Sequence, residues 1–394
     1  MTLNLDKTPW KRVRLGDVVR RSREQVDPLA GSVERYVAGG HIDGDGLVIE
    51  RWGAVDDGQM GSTFRYVFRP GQVLFVSARP YLRKVGVPQF GGVVADKTYV
   101  LNAIPENGIS QRFLPFVLSS DRFVKFATAE ATGSMNPRLL WGPMQRYEFD
   151  LPSIDEQKRI ADLLWAVERH RLSLLEIEKQ VSQARNVVIA HGLPSSVATR
   201  RLADSAAVAS GVTLGPARRA MKQTTPYLRV ANVQRGALDL SEVKDVGVTD
   251  KEIKSKGLKP GDILVVEGHA SVDEIGRAAL WDSDESPLFQ NHLFRVRTNG
   301  EYRPRFLLEW INGEIGRSYI RTVAKSTSGL NTINSTVLKA MPVPEVALED
   351  QDNLICDLQR VDMSIDTLRA ELSAVSELQS SLLTEIFGYA NDLQ

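Results

Sequence analysis

Two stretches of the chain place apolar side chains every seven residues. The first set is Ile160, Val167, Leu174, Val181 and Val188, and we expect Leu163, Ile177 and Ala184 to widen its stripe. The second set is Leu354, Val361, Leu368, Val375 and Leu382, joined by Leu358, Ile365, Leu372 and Ile386. Sustained apolar heptads are typical of coiled-coil helices. We therefore predict two long helices that pack against each other as an antiparallel coiled coil.

The regions before these helices have a different pattern. Short apolar runs such as QVLFVSA (72–78) and DILVVEG (262–268) follow the turn signals Pro70-Gly71 and Pro260-Gly261. Short runs between Gly and Pro residues are typical of β-strands. The first helix is predicted to begin near Ser153, a suitable N-cap, with Asp155 and Glu156 in its first turn.

The two halves of the chain resemble each other at four landmarks. RYVAGGHIDGDGL (35–47) is similar to PYLRVANVQRGAL (226–238), and FRPGQVL (68–74) to LKPGDIL (258–264). TGSMN (132–136) is similar to TSGLN (327–331), and the helix start after residue 151 to that after residue 343, with Gln157 opposite Gln351. Four matches in order, about 190 to 195 residues apart, indicate an internal repeat.

The repeat gives the domain organisation and the fold class. We predict an α+β protein with two pseudo-repeated β-rich α/β domains, at 1–150 and 196–345. The two long helices occupy 151–195 and 346–394. A helix of about 35 residues spans on the order of 50 Å, more than one turn of duplex DNA. The helices are therefore predicted to set the distance between the two β-rich domains. Such an arrangement suits recognition of two separated half-sites on DNA.

Charge is distributed unevenly although the chain is neutral overall. Lys plus Arg exceed Asp plus Glu by 20 to 16 in residues 1–150 and by 21 to 17 in 196–345. Residues 346–394 hold 2 basic against 10 acidic residues, and 151–195 hold 6 of each. DNA responds to local positive charge, so the zero total does not exclude a nucleic-acid partner.

Composition excludes several other classes. The N-terminus lacks the apolar stretch of a secretory signal, and no run has the length of a membrane span. The single cysteine, Cys356, cannot form an internal disulfide and fits a cytoplasmic protein. The five histidines show no metal-ligand spacing. We expect no metal site.

No catalytic motif is evident. The sequence lacks a phosphate-binding P-loop, and neither a dinucleotide-binding glycine pattern nor a nucleophile elbow occurs in a suitable context. Asn136-Pro137-Arg138 departs from the N-P-P-aromatic motif that adenine methyltransferases carry. Acidic pairs such as Asp56/Asp57 stand in Gly-rich sequence, where solvated turn residues are the ordinary interpretation. We predict a protein with no active site and no bound cofactor.

Several segments resemble the specificity subunits of type I restriction–modification systems. Both helix starts, DLPSIDEQKRIADLL (150–164) and MPVPEVALEDQDNLI (341–355), are similar to the starts of that family's spacer helices. ARPYLRKVGV (78–87), DKTYVL (96–101) and ATGSMNPR (131–138) resemble one type of recognition domain. DILVVEGHASVDEIGRAALW (262–281) and QNHLFRVR (290–297) resemble another.

The resemblance implies a non-catalytic subunit whose two target-recognition domains read the two halves of an asymmetric DNA site. It also implies two methylation subunits bound through the helices, with S-adenosylmethionine on those partners and adenine as the modified base. Two restriction subunits are expected to join for cleavage. The acidic second helix suits contacts with proteins better than contacts with DNA.

DNA-binding residues are predicted by their chemistry and by their loops. In the first domain they are Arg79, Tyr81, Arg83, Lys84, Ser134, Asn136 and Arg138. In the second domain they are Asn232, Gln234, His269, Asn291, His292, Ser328 and Asn331. Arginine pairs with guanine and asparagine with adenine, whereas lysine more often meets phosphate. For each residue the competing interpretation is a turn cap or a solvated surface pair.

Two other function classes stay open at this stage. A duplicated adaptor that binds only proteins would explain the heptads but not the paired basic domains with polar loops. An unrecognised enzyme, such as a nuclease fused to a recognition half, would need a catalytic constellation outside the known motifs. Replacing Arg79 or Arg83 by Ala is predicted to weaken DNA binding without a change in folding.

Overall fold

The computed structural model describes residues 5–44, 46–192, 198–327 and 329–388, with only the backbone of Thr327. The chain forms two compact units. The first consists of Met1–Ile177 and Leu368–Gln394, and the second of Glu178–Thr367. Each unit therefore contains one β-rich domain together with parts of both long helices.

The first half of the chain contains eleven strands and five helices among the described residues. The strands are β1 (Lys11–Arg14), β2 (Val19–Ser22), β3 (Arg35–Val37), β4 (Val48–Ile49), β5 (Gly53–Ala54), β6 (Phe64–Phe68), β7 (Val73–Val76), β8 (Val85–Pro88), β9 (Gly92–Ala95), β10 (Thr98–Ala103) and β11 (Glu148–Leu151). The helices are α1 (Leu15–Val18), α2 (Leu114–Ser119), α3 (Asp121–Ala129), α4 (Trp141–Gln145) and α5 (Ile154–Gly192).

The second half repeats this succession with small changes. The strands are β12 (Thr199–Arg201), β13 (Ala206–Ser210), β14 (Thr224–Leu228), β15 (Lys244–Gly247), β16 (Asp262–Val266), β17 (Gly268–His269), β18 (Ala278–Trp281), β19 (Leu288–Phe289), β20 (Leu293–Thr298), β21 (Lys325–Thr327), β22 (Leu330–Thr332) and β23 (Pro342–Pro344). The helices are α6 (Leu202–Ser205), α7 (Asp250–Lys256), α8 (Pro304–Asn312), α9 (Glu314–Val323), α10 (Ser335–Lys339) and α11 (Leu348–Phe387).

The central sheets of the two units share one strand order over four strands, and the first unit adds a fifth strand, β4. The order is β2-β10-β7-β8-β4 in the first unit and β13-β20-β16-β18 in the second. The first three pairings of each order are antiparallel. Each unit also has one parallel pair in a neighbouring sheet, β3 with β9 and β14 with β19. The internal repeat read from the sequence is therefore a repeat of the fold.

Each central sheet is buried on both faces. Because side chains alternate along a strand, Val73 and Phe75 of β7 enter the core that contains the helices, whereas Leu74 and Val76 enter a second core. In β16, Ile263 and Val265 face the helix side and Leu264 and Val266 face the other side. Burial on both faces explains why these strands are continuous apolar runs. The predicted α+β class is confirmed.

The long helices run antiparallel within each unit. In the first unit, Ile160 and Leu164 of α5 share a core with Leu382 and Ile386 of α11. Farther along α5, His170 Nε2 lies 3.3 Å from Glu371. Residue numbers rise on one helix as they fall on the other, which defines the antiparallel direction.

The second unit shows the same direction in its own part of the helices. Arg185 Nε donates to Asp362 Oδ1 at 2.6 Å. Seven residues later on α5, a Cβ added to Gly192 would lie 2.5 Å from Leu354 Cδ1. The glycine thus allows close approach of the two helices at this point.

The predicted second stripe of α5 is wrong by one residue. Leu163, Ile177 and Ala184 are exposed, whereas Leu164 is buried and Arg171 and Arg185 are half-buried. The inward positions of α5 lie four residues after the first stripe, as they do in α11, where Leu358, Ile365, Leu372 and Ile386 are buried or half-buried. After Leu164 these positions of α5 hold the polar residues Arg171, Glu178 and Arg185, so the hydropathy pattern did not reveal them.

Gln157 and Gln351 join each long helix to its domain. Gln157 Oε1 accepts from Ser110 N at 2.8 Å, and its Nε2 donates to Gly108 O and Pro152 O. Gln351 repeats this pattern with Arg303 N, Glu301 O and Val346 O. Both side chains are fully buried. The matched glutamines therefore satisfy backbone groups in the loop that precedes α2 or α8.

None of the helices in the described ranges combines the length and apolar character needed to cross a membrane. The same residues contain no group of three or more His, Cys, Asp or Glu side chains placed to hold a metal ion.

Candidate nucleic-acid interface

In the first unit, the loop after β7 meets the loop that contains TGSM. We call residues 77–84 loop A1 and residues 132–138 loop B1. Arg79 N donates to Pro137 O at 2.7 Å, and Arg79 Nε donates to Asn136 Oδ1 at 3.1 Å. Backbone bonds of 3.0 and 2.8 Å between Thr132 and Arg138 close the base of loop B1. Two segments whose bonded residues Arg79 and Asn136 are 57 positions apart in the sequence thus form one surface.

Loop A1 has an unusual backbone. Arg79 and Arg83 have φ angles of 51° and 56° and flank a short helical turn at Pro80–Leu82. Left-handed conformation is uncommon for residues other than glycine and costs conformational energy. The turn leaves the Tyr81 ring exposed. Surrounding contacts must therefore hold loop A1 in place.

Those contacts use three of the predicted DNA-binding residues. The Arg83 guanidinium pairs with Asp121 and donates to Ser119 O at 2.9 Å. Lys84 Nζ donates to Gly39 O. Arg138 donates to Ser77 Oγ at 3.0 Å and to Asp96 Oδ2 at 3.1 Å. These cations hold the loops in position, whereas Arg79, Tyr81, Ser134 and Asn136 stay exposed at the surface.

The second unit brings the equivalent loops together. β17, which follows β16, pairs with β22 through Gly268–Thr332 and His269–Asn331. We call residues 267–274 loop A2 and residues 325–332 loop B2. Asn331 Nδ2 donates to Ala270 O at 2.9 Å, and His269 Nδ1 accepts from Ser271 N at 3.0 Å. Ser328 lies outside the described residues. The same two loops therefore meet in both units.

Beside loops A2 and B2 is an open cleft of about 510 Å³. Its polar lining includes His292 and Glu267, whose Nδ1 and Oε2 lie 2.7 Å apart. Gln290, Lys325 and Asn334 also line it. Asn291 is half-buried next to this cleft, and its backbone nitrogen donates to Val212 O at 3.0 Å. The cleft combines one cation with several donors and acceptors.

The matched 226–238 segment supplies a structural residue and an exposed one. Asn232 is buried; its Oδ1 accepts from Arg229 N at 2.9 Å, and its Nδ2 donates to Asp239 O and Glu242 O. These bonds use both amide protons, so Asn232 is an unsuitable reader of bases. Gln234 is exposed and donates to Ala231 O at 2.9 Å.

An arginine cluster near loop A2 was not foreseen from the sequence. Arg235 donates to Asp273 O, while Arg317 and Arg321 lie 3.8 and 3.6 Å from Asp273 Oδ1. Burial lowers the pKa of Arg235, and repulsion from the charge of Arg317 lowers it further. Arg317 and Arg321 also pair with Glu314, so carboxylates offset part of this repulsion. Arg235 and Asp273 are far in sequence from Arg317 and Arg321, so no local motif marked the cluster.

The exposed apolar residues Met135 and Leu330 were also missed. They occupy the same place in loops B1 and B2, directly before Asn136 and Asn331. The alignment of TGSMN with TSGLN already placed them opposite each other. The predicted DNA-binding residues were chosen as polar or aromatic side chains, so these two apolar residues were not among them.

Comparison with known proteins agrees with the sequence resemblance. The chain is 23% identical over 305 residues to the type I restriction enzyme StySPI specificity subunit of Salmonella potsdam. It is 21% identical over 168 residues to the EcoKI specificity subunit of Escherichia coli K12. These matches cover 72% and 41% of this chain, and 66% and 36% of the two relatives. No protein-family model matches the chain.

Solved structures show the same fold. A chain from work on complex assembly and conformational transition of the type I R-M system matches with a TM-score of 0.63 at 20% identity. The S subunit of the type I restriction-modification system from M. genitalium matches with a TM-score of 0.53 at 14% identity. Both matches cover 98% of this chain and 99% of the other. The predicted resemblance to type I specificity subunits is confirmed.

Proposed function

We propose that the chain is the sequence-specific DNA-recognition subunit of a type I restriction–modification complex that methylates adenine at N6. Each β-rich domain reads one half of a bipartite, asymmetric site. The observation that carries this proposal is the meeting of the same two loops in both units, through Arg79 and Asn136 in one and through Asn331 and Ala270 in the other. The curated relatives, themselves specificity subunits, support it.

The proposed subunit performs no chemistry itself and acts in the cytoplasm. Two methylation subunits dock on α5 and α11 and bring S-adenosylmethionine, and two restriction subunits join for cleavage. The acidic surplus of residues 346–394 supports a protein-binding role for α11, since like charge disfavours DNA there. The different sequences of loops A1 and A2 support an asymmetric target.

Mapping methylated adenines in a host genome with and without this chain tests the proposal directly. Methylation at one bipartite motif should depend on the chain. A mobility-shift assay with the methylation subunits distinguishes the proposal from the alternative of an adaptor that binds only proteins. An adaptor would give no sequence-selective shift of DNA. Methylation or cleavage by the purified chain alone would instead support the enzyme alternative.

Arg79 and Arg83 are expected to behave differently when replaced, so the expectation of unchanged folding is kept for Arg79 and withdrawn for Arg83, which bonds Asp121 and Ser119. Arg79→Ala should weaken binding to the methylated motif about tenfold, because an exposed cation near Asn136 is lost, and should leave the melting temperature unchanged. Arg83→Ala should lower the melting temperature, because it removes the contacts of loop A1 with Asp121 and Ser119. Titrations and thermal melts of both variants check this. Equal effects of the two variants on melting would contradict it.

Helix length is proposed to set the gap between the half-sites. One added heptad in each of α5 and α11 adds about 10.5 Å, at 1.5 Å per residue, which corresponds to about three base pairs of duplex DNA. Mapping the methylated motif of this variant should show unchanged half-sites and a longer gap. A variant with four extra residues, which breaks the heptad register, serves as the control for folding. An unchanged gap would contradict the proposed role.

A further inference from the structure

The apolar tips of loops B1 and B2 stand out from the polar surface around them. The Met135 side chain is 91% exposed and that of Leu330 is 45% exposed. Single exposed apolar residues are ordinary on protein surfaces, so exposure alone decides nothing. Here the two residues recur at equivalent places, 195 positions apart, in loops whose neighbouring sequences differ.

Both tips are held on fixed supports. Loop B1 is closed at its base by the two Thr132–Arg138 backbone bonds and is bound to loop A1 through Arg79. Loop B2 is a hairpin in which Thr327 pairs with Leu330 and Ser326 with Asn331. A left-handed glycine turns each loop close to its tip, Gly133 with φ 109° and Gly329 with φ 79°. Such supports fix where an apolar tip can reach.

The surroundings of the tips select the chemistry of the contact. Arg79 lies beside the first tip, and Lys325, Gln290 and His292 line the same cleft as Leu330. Cations and amides suit phosphates and base edges, whereas an apolar side chain among them suits the non-polar parts of bases. Those parts are the thymine methyl group and the face of a base at an opened step, where Leu and Met act as wedges.

We propose that Met135 and Leu330 determine specificity by contacting non-polar base surfaces, one in each half-site. The inference rests on the proposed function and adds to it a residue type that polar readout leaves out. On binding, each tip exchanges water for base surface, so its free energy comes from apolar burial rather than from counterion release. The contribution therefore depends on base identity and only weakly on salt.

Equilibrium titration of the full chain with its methylation subunits tests the inference, using a duplex that carries the mapped motif and a scrambled duplex. Met135→Ala and Leu330→Ala should each weaken binding to the motif about tenfold and leave binding to the scrambled duplex unchanged. Leu29→Ala and Leu240→Ala are matched controls, because these side chains are 75% and 48% exposed in the first and second unit. Tip variants that bind the motif as the controls do would overturn the inference. If the unsubstituted complex prefers neither duplex, the proposed function itself fails.

Two modified duplexes identify the base surface. If a tip touches a thymine methyl group, replacing that thymine by uracil should weaken binding of the unsubstituted chain but not of the Ala variant. If a tip enters an opened step, the fluorescence of 2-aminopurine placed there should rise with the unsubstituted chain and less with the variant. Either result supports the inference. Weaker binding by the Ala variants with neither response would overturn it.

Discussion

Replacement of Gln351 by Ala is expected to lower the free energy of unfolding of the second unit by about 2–4 kcal/mol. The side chain is fully buried and bonds three backbone groups: Arg303 N, Glu301 O and Val346 O. Each buried group left without a partner costs about 1–3 kcal/mol, and partial relaxation reduces the sum. The loop before α8 would lose its bonds to Gln351 and keep the ion pair between Arg303 and Asp352 at 2.7 Å.

Denaturant unfolding followed by tryptophan fluorescence measures this loss, since Trp281 and Trp310 are buried in the second unit. Gln359→Ala is the matched control, because Gln359 is exposed on the same helix. Gln157→Ala should show a similar loss in the first unit. A Gln351→Ala variant as stable as the control would show that water or a shifted backbone satisfies the three groups.

Replacement of Glu309 by Ala is expected to have a second large effect, about 2–4 kcal/mol of lost stability. Glu309 Oε1 lies 3.0 Å from an Arg185 Nη atom and 2.9 Å from Arg305 Nε. Asp362 contacts both arginines, at 2.6 and 2.8 Å. Burial lowers the pKa of Arg185, but Asp362 and Glu309 raise it overall. Without Glu309, Arg185 and Arg305 share the single carboxylate of Asp362. Both arginines are half-buried, and their partial exposure reduces the free-energy cost of the lost partner.

The double variant Arg185→Met, Glu309→Leu tests the cause of this effect. Apolar residues of similar volume avoid the cost of burying charges, so the double variant should recover part of the lost stability. Glu314→Ala, at an exposed acid of α9 that pairs with Arg321, should change stability little. A double variant less stable than Glu309→Ala would contradict the electrostatic explanation.

The elements that the sequence predicted well are those with local signals. The runs 72–78 and 262–268 became β7 and β16, and Ser153 Oγ accepts from Glu156 N at 3.3 Å as an N-cap should. The repeat landmarks likewise correspond to the four-strand order that the two central sheets share. Strand periodicity, turn residues and caps act over a few residues, so they can be read without knowledge of the tertiary structure.

Roles that depend on distant partners could not be read in this way. In the sequence, Arg138 has the character of an exposed loop cation, but in the structure it pairs with Asp96. Asn232 has the character of an exposed amide, but in the structure its Nδ2 donates to Asp239 O. Arg83 likewise finds Asp121 only in the folded domain. An arginine that supports a loop and one that reads DNA have the same local sequence signature, and only tertiary contacts separate them.

The second stripe of α5 illustrates a related difficulty. Inward positions of a helix are recognised by apolar character, but Arg171 and Arg185 occupy such positions and are neutralised by Glu168 and Asp362. The first stripe was identified correctly because Ile160 and Leu174 are apolar and buried. Because these inward positions carry paired charges, a hydropathy pattern does not identify this second set of inward positions on α5.

Glu168 and Asp362 lie 194 residues apart at equivalent places on the two long helices, yet they bond to different parts of their domains. Glu168 accepts from Leu47 N at 2.8 Å, whereas Asp362 accepts from Arg305 on α8. Each half thus has its own attachment between helix and domain. A domain moved from one half to the other would meet Asp362 in place of Glu168, or Glu168 in place of Asp362, and neither acid would have its present donor.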